Sequence, residues 1–453
     1  MRITPPHADI DIYSDGFAKH DILSRERESR NLSELVENID EPLVIALDGA
    51  WGSGKSFFLK CWVGAHKIEN KGKATTIYFD AFENDFLDDP LIGLTGVLAD
   101  RMEKAKKPKD ALAMVKTAAA KLWRPALRIG LAMGTAGASE AVGVVADAAL
   151  ERTEDELIEQ VNAFWEKEDG KRAAMAEFRA ALVKLTEPDD DGVPTKKFVF
   201  VVDELDRCRP DFALDLLEVM KHFFFVPGVH FVLGVNIKEL LNTVRSRYGD
   251  RVDAETYLQK FVSVSLTLPD RSGYRGYPNS VATKYFEEMS RKMDINKNIA
   301  DIVIVLITEF PAFRFQSIRQ AQRVLTEIAL IADPKKSIKN NVYGYNYTLA
   351  SLILMKHGKP DLFRKAVSAE LAYEDISRFI GLPASVTEES TFHSQVADYA
   401  WRSLLAPDTV DKNKKGFRSM WGGLGSNWPE DVIENLLNDY LNPIALIDEA
   451  LTP

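Results

Sequence analysis

Residues 49–56 have the types and spacing of a phosphate-binding loop. Their sequence, Gly-Ala-Trp-Gly-Ser-Gly-Lys-Ser, matches G-x-x-x-x-G-K-[ST] and directly follows a short apolar run at 43–48. Backbone N–H groups in such a loop point at phosphate oxygens, and the helix behind the loop adds the positive end of its dipole. We therefore expect Lys55 to contact the β- and γ-phosphates and the Ser56 hydroxyl to hold Mg²⁺. The candidate nucleotide-binding residues are Gly49, Ala50, Trp51, Gly52, Ser53, Gly54, Lys55 and Ser56.

Two adjacent carboxylates, Asp203 and Glu204, follow another apolar run at 198–202. A phosphate-binding loop needs an acid on a neighbouring strand to complete its metal site. We assign Mg²⁺ binding, directly or through water, to Asp203, and the orientation and polarisation of an attacking water to Glu204. Acids that merely end a strand are the alternative, and the register of the pair with the loop argues against it.

Polar residues at three later positions are further candidates. Asn236 follows the apolar run 229–235, where it is either a γ-phosphate or water contact or a plain turn residue. Arg319 and Arg323 are four residues apart, so a helix places them on one face. From the residues alone, that face is a solvated basic surface.

Five short apolar runs predict the strands that position these residues. Each is too brief for a helix, as is typical of strands buried in a parallel sheet. The runs are 43–48, 75–79, 198–202, 229–235 and 261–268. A helical pattern at 211–225 separates the third run from the fourth. Since strands that alternate with helices form parallel sheets, we predict an α/β domain. Residues 86–185, and those from about 275 to the end, have helical composition instead.

The composition is that of an ordinary globular protein. Of 453 residues, 46% are hydrophobic and 28% charged, which argues against a disordered chain. The formal net charge of −11 does not indicate nucleic-acid binding. Cys61 and Cys208 cannot form a disulfide framework or a four-cysteine zinc site. The low cysteine usage and the polar N-terminal residues lead us to expect a cytoplasmic protein.

The segment 125–150 is rich in Ala, Gly, Val and Leu and needs to be weighed as a membrane span. Arg128, Glu140 and Asp147 interrupt it, whereas a spanning helix needs about 20 mostly apolar residues. A buried or partner-facing helix pair is the favoured interpretation. Membrane contact is the alternative, and detergent-free fractionation distinguishes the two.

Together these residues resemble the KAP family of P-loop NTPases. The tryptophan in the loop and the Leu-Asp-Arg-Cys that follows the acidic pair make the resemblance more specific than a bare phosphate-binding loop. The matching elements run in the family's order from about residue 20 to 330: Asp21–Arg25, Gly49–Ser56, Phe79–Glu83, Val202–Cys208, Tyr257–Phe261, and Ile318 and Arg319 with Arg323.

The resemblance implies a STAND/AAA-related parallel sheet, ATP as the nucleotide, and a helical lid whose Arg319 closes over it. It also implies a long insert between the two motifs, and Asp203 does lie 148 positions after Lys55. Many members place transmembrane helices in that insert. Asp206 and Arg207 match a family turn, where they either sense the nucleotide or form a structural ion pair.

We accordingly divide the chain into five predicted segments. They are the first part of the NTPase domain at 1–85, a helical insert at 86–195, the rest of the NTPase domain at 196–270, a helical lid at 271–345 and a C-terminal helical region at 346–453.

The predicted function is that of an ATPase that requires Mg²⁺ and switches its helical regions, with Lys55, Glu204, Asn236 and Arg319 as the catalytic candidates. A slow-turnover ATP-gated scaffold or membrane-associated signalling protein is the alternative. A protein partner or self-association through the insert is expected. The resemblance adds a context in bacterial defence against phage or plasmids. A nucleic-acid translocase and a small-molecule kinase are disfavoured.

Overall fold

The computed structural model describes most of the chain outside the central insert. The described residues are 4–5, 9–87, 89–104, 113, 173, 175–269, 280–331, 342–383, 386–387, 389–410, 420–421 and 431–438. The segment 125–150, for which a buried or partner-facing helix pair is expected, lies outside them. Among the described residues, no helix combines the length and the apolar character that crossing a bilayer requires.

A five-stranded parallel sheet forms the centre of the NTPase domain. Its strands are β1 (Leu43–Asp48), β2 (Thr75–Asp80), β3 (Phe198–Asp203), β4 (Val229–Val235) and β5 (Val264–Thr267), in the order β2-β3-β4-β1-β5. All four pairings are parallel, which confirms the predicted α/β class. The fifth strand is shorter than the apolar run 261–268 that predicted it.

The shortening of β5 has a local cause. The N–H groups of Phe261 and Val262 both donate to the Leu258 carbonyl, at 2.9 and 3.1 Å, so these residues continue the turn that follows a helix. The Phe261 ring packs on Tyr257 with ring centroids 5.3 Å apart. Phe261 therefore packs in a side-chain cluster and is not part of the sheet.

Helices cover both faces of the sheet and build the rest of the protein. Around the sheet lie α1 (Phe17–His20), α2 (Glu26–Asn38), α3 (Lys55–Ile68), α4 (Pro90–Lys104), helical residues 175–185, α5 (Pro210–Phe223), α6 (Ile237–Tyr248) and α7 (Ala254–Leu258). Beyond it lie α8 (Val281–Lys292), α9 (Lys297–Glu309), α10 (Ile318–Ile331), α11 (Tyr343–Gly358), α12 (Pro360–Val367), α13 (Tyr373–Ile380), α14 (Phe392–Leu405) and α15 (Val432–Leu436).

Alternating side chains of the inner strands enter two different cores, which explains their apolar runs. In β1, Ile45 and Leu47 pack with α3, whereas Val44 and Ala46 face the core shared with α4 and α5. A strand buried on both faces has no polar side. The edge strand β5 differs, because Val264 and Leu266 are partly buried while Ser265 and Thr267 are exposed, and its sequence alternates accordingly.

The helices after the sheet share a third core. It joins the predicted lid to the predicted C-terminal region, since side chains of α8, α9 and α10 pack with those of α11 and α14. Leu23, which precedes α2, also belongs to this core. The lid is thereby attached both to the C-terminal helices and to the start of the NTPase domain.

Candidate nucleotide-binding site

The loop at 49–56 turns sharply from β1 into α3 at the carboxyl edge of the sheet. Gly52 and Gly54 adopt φ angles of +81° and +90°, which side chains rarely tolerate, so glycine is needed at both positions. Gly54 precedes Lys55, the first residue of α3. The N–H groups of the first turn of a helix lack intrahelical partners, so this end of α3 is suited to bind an anion.

Lys55 is nearly buried, with 7% of its surface exposed, and its ammonium lies against the loop. It donates to the carbonyl oxygens of Gly49 and, at 3.2 Å, of Ala50. Burial lowers the pKa of Lys55, while the negative charges of Asp206 and Asp203 counteract that effect. A buried ammonium group without an anionic partner is unfavourable, and phosphate oxygens would supply that partner to Lys55.

Asp203, at the end of β3, is 1% exposed and held on both carboxylate oxygens. The Tyr78 hydroxyl donates to Oδ2 at 2.9 Å, and the Glu204 N–H donates to Oδ1 at 2.9 Å. Burial raises the pKa of Asp203 to about 6, although hydrogen bonds from Ser56 and Tyr78 lower it. The structure thus brings together Ser56 and Asp203, the two residues that the sequence predicts to hold Mg²⁺.

This donor set fits a magnesium ion. Mg²⁺ is usually bound by one or two carboxylates, by waters and by substrate phosphates, and not by a cage made of protein alone. One buried carboxylate and one hydroxyl beside a phosphate-binding loop match that pattern. A neighbouring glycine makes room for the carboxylate: a β-carbon at Gly234 would lie only 2.4 Å from Asp203 Oδ1.

Glu204 and the turn after it supply a further group of charged side chains next to Asp203. Glu204 adopts φ +60°, ψ +24° and precedes the short 3₁₀ turn Leu205–Arg207. Its carboxylate Oε1 lies 2.7 Å from Nη1 of Arg207. The indole N–H of Trp51 donates to Asp206 Oδ2 at 2.6 Å and so connects the loop to this turn.

A cavity of 430 Å³ joins these groups, a size typical of ligand sites. Its lining contains the predicted lysine, serine and acids together with a set of apolar side chains. The apolar and aromatic lining residues are Ile10, Ile22, Leu23, Phe57, Tyr285, Met289 and Ile318. The cavity therefore combines phosphate-binding groups with apolar surface of the kind that binds a planar base.

The first turn of α10 lies directly over the loop. Ile318 N–H donates to the Gly52 carbonyl at 2.9 Å, and a β-carbon at Gly52 would lie 2.9 Å from Cβ of Arg319. Arg319 lines the cavity. Arg323 is exposed and is not among the lining residues; Gln322 takes the position beside Arg319 instead and donates to the Tyr285 hydroxyl at 3.0 Å.

Asn236 lies at the carboxyl end of β4 and precedes α6, but it does not line the cavity. Gly234, two residues earlier, does line it. The predicted contact of Asn236 with the γ-phosphate therefore stays a prediction.

Sequence reasoning missed Tyr78, Gly234 and Gln322. Tyr78 offers a weak signal, as a polar group within the apolar run 75–79, and Gln322 offers one as the residue three positions after Arg319. Gly234 offers none, because its role depends on a contact across neighbouring strands.

Comparison with known proteins decides the family. The profile of the KAP family P-loop domain matches residues 25–340, more than half of the chain. The chain belongs to the KAP family. Membership confirms the resemblance and the P-loop NTPase fold with its parallel sheet, and nucleotide binding is the shared property of this fold.

Other comparisons are more distant. Two solved structures of the Aeropyrum pernix ORC2 protein are similar to this KAP family chain at 12% and 11% identity, with TM-scores of 0.34 and 0.32. The first, an ADP form, covers 84% of this chain and 85% of its own; the second, with ADPNP–ADP complexes, covers 97% and 96%. We draw no functional conclusion from them. No curated protein matches significantly.

Proposed function

We propose that this KAP family protein is an ATPase that requires Mg²⁺ and uses hydrolysis to move its helical lid. The observation that carries the proposal is one cavity in which Lys55, Ser56, Asp203 and Glu204 meet under Arg319. Each residue type matches one requirement of phosphoryl transfer to water: a cation, metal ligands, a water-orienting base and a lid cation.

Lys55 and the N-terminal end of α3 would hold the β- and γ-phosphates. Ser56 and Asp203 would hold Mg²⁺, which neutralises and orients phosphate oxygens when bound. The Tyr78 hydroxyl keeps the Asp203 carboxylate directed at Ser56 through its 2.9 Å hydrogen bond. These residues therefore supply positioning and charge, which are the main contributions in this class of reaction.

Glu204 would orient the attacking water and accept its proton. Its side chain lines the cavity and is 19% exposed, so water can reach it. Its left-handed backbone is uncommon for a residue with a side chain, and such conformations concentrate at functional sites.

Arg319 would bind the γ-phosphate from the lid, as the family resemblance implies. Its backbone neighbour Ile318 is hydrogen-bonded to the loop, so a change in the loop is transmitted to α10. A contact made with ATP but not with ADP gives the differential affinity that a conformational switch needs. The lid shares its core with the C-terminal helices, which would carry the movement to a partner.

A second candidate function is favoured by the ion pair between Glu204 and Arg207. A carboxylate engaged by a guanidinium is a less available base, which suits a protein that binds ATP tightly and hydrolyses it slowly until a partner intervenes. The partner and a role in bacterial defence stay predictions from the family resemblance.

The deciding experiment compares ATP binding and steady-state turnover in the wild type and Glu204→Gln. Loss of a positioned base should lower turnover by about 10²–10⁴-fold while ATP still binds. Glu255→Gln is a matched control, because Glu255 is exposed and does not line the cavity. Wild-type turnover in Glu204→Gln would refute the assigned role, and tight binding with little turnover in the wild type would favour the scaffold.

A further inference from the structure

Arg207 occupies a position that the ATPase proposal does not use. It is the last residue of the 3₁₀ turn Leu205–Arg207, it lines the cavity, and its side chain is 32% exposed. Its guanidinium lies 2.7 Å from the Glu204 carboxylate. The residue that would orient the attacking water is therefore paired with a cation that faces the same cavity.

The turn itself is held in place, while the Glu204–Arg207 pair is only weakly held. Trp51 binds Asp206 at 2.6 Å, and the N–H of Arg207 donates to the Glu204 carbonyl at 3.1 Å. Both members of the Glu204–Arg207 pair are partly exposed, and ion pairs in contact with water are weak. Little therefore opposes an exchange of partners by the guanidinium.

The guanidinium shares its cavity with the predicted phosphate-binding groups. Arg207, Lys55 and the loop residues from Trp51 to Ser56 all line it. A terminal phosphate carries more charge and more acceptor oxygens than one carboxylate, and a planar guanidinium binds it as a fork.

We propose that Arg207 exchanges Glu204 for the γ-phosphate when a triphosphate enters, and so releases Glu204 to orient water. This inference rests on the proposed ATPase function and assigns to it a second γ-phosphate contact, in addition to that of Arg319 on the lid. In ADP the γ-phosphate is missing, and Arg207 keeps Glu204 paired. The base is then available only when there is a phosphate to hydrolyse.

The first test measures the affinity of Arg207→Ala for β,γ-imido-ATP and for ADP by calorimetry, with Mg²⁺ present. Loss of one charge-assisted contact should weaken the binding of the triphosphate analogue by about tenfold or more, while the affinity for ADP changes by less than about twofold. Arg207→Lys should recover part of the loss. Arg209→Ala is the matched control, because Arg209 follows the same turn but binds the Asp85 carbonyl and does not line the cavity.

The second test is a double-mutant cycle with Glu204→Gln. Without the competing carboxylate, the affinity for β,γ-imido-ATP should rise by about threefold in the wild-type background. That gain should vanish in Arg207→Ala but persist in Arg319→Ala, because Glu204 is paired with Arg207. A gain of equal size in both backgrounds would reflect simple removal of negative charge and would overturn the exchange.

The outcomes separate this inference from the ATPase proposal. Equal weakening of both nucleotides in Arg207→Ala, or no change in either, would overturn the exchange while leaving nucleotide binding and turnover intact. Failure of the wild type to bind either nucleotide would overturn both proposals.

Discussion

Gly234 makes room for the predicted metal ligand, and Gly234→Ala tests how closely Asp203 must be positioned. An added β-carbon would lie 2.4 Å from Asp203 Oδ1 and 2.5 Å from Leu59 Cδ1. Ordinary contacts between such atoms are about 3.5 Å, so each neighbour must move by about 1 Å. Asp203 cannot move that far without loss, because Oδ1 accepts the Glu204 N–H at 2.9 Å.

The expected cost follows from these two contacts. Overpacking against Leu59 costs about 1–3 kcal/mol, and a lost hydrogen bond to a charged group costs about 1.5–3 kcal/mol. Because the two effects share one site and are not additive, we expect Gly234→Ala to lower the free energy of unfolding by about 2–5 kcal/mol. The displaced carboxylate should also raise the Mg²⁺ concentration needed for binding β,γ-imido-ATP.

Urea unfolding followed by circular dichroism measures the first effect, and calorimetry over a range of Mg²⁺ concentrations measures the second. Gly96→Ala is the control: Gly96 is exposed within α4, and among the described residues no atom beyond its own helix backbone lies within 4 Å of an added β-carbon. Alanine should stabilise that helix by about 0.5–1 kcal/mol. A Gly234→Ala protein with wild-type stability and Mg²⁺ dependence would refute the assigned role of Gly234.

Three further predictions concern the loop, the lid and the sheet. Lys55→Ala should weaken ATP binding by about ten- to a hundredfold with the fold intact, since it removes a charge-assisted contact worth about 1.5–3 kcal/mol; equal affinities in calorimetry would contradict this. Arg319→Ala should reduce the discrimination between ATP and ADP by about 1–3 kcal/mol, and Arg323→Ala, outside the cavity, should change it less; measuring both nucleotides on both variants decides. Burial lowers the pKa of His230 in β4 to about 4. The folded state should therefore lose about 3 kcal/mol of stability as the pH falls from about 6.5 to 4. Urea midpoints measured across that range should show the loss, and His230→Phe should remove it.

The strands could be predicted from the sequence because burial on both faces leaves a clear signal. The bounds of β1 and β4 match the runs 43–48 and 229–235, which are mostly apolar and are followed by Gly49 and Asn236. The run 261–268 predicted too long a fifth strand. An apolar run indicates burial but does not identify the element against which its residues pack, and Phe261 packs against Tyr257.

The candidate site could be predicted at the phosphate-binding loop, because that one motif specifies both the backbone conformation and the functional side chains. The structure places Lys55 and Ser56 in one cavity with the acids at 203 and 204, although β4 lies between β1 and β3, so that the acids are not on the strand next to β1 as expected. Contacts between distant elements left no such signal. Helical spacing paired Arg319 with Arg323, but Gln322, three residues after Arg319, lines the cavity with it.

Gly52 restricts which lid helices this protein could take from its relatives. Any side chain there would strain a φ of +81° and would collide with Cβ of Arg319 at 2.9 Å and of Ser317 at 3.2 Å. The loop and the start of α10 therefore have to be exchanged together to keep this contact, although they lie far apart in the chain. A chimera that takes its lid from another family member would keep a working site only if the donor's helix leaves the same space above this glycine.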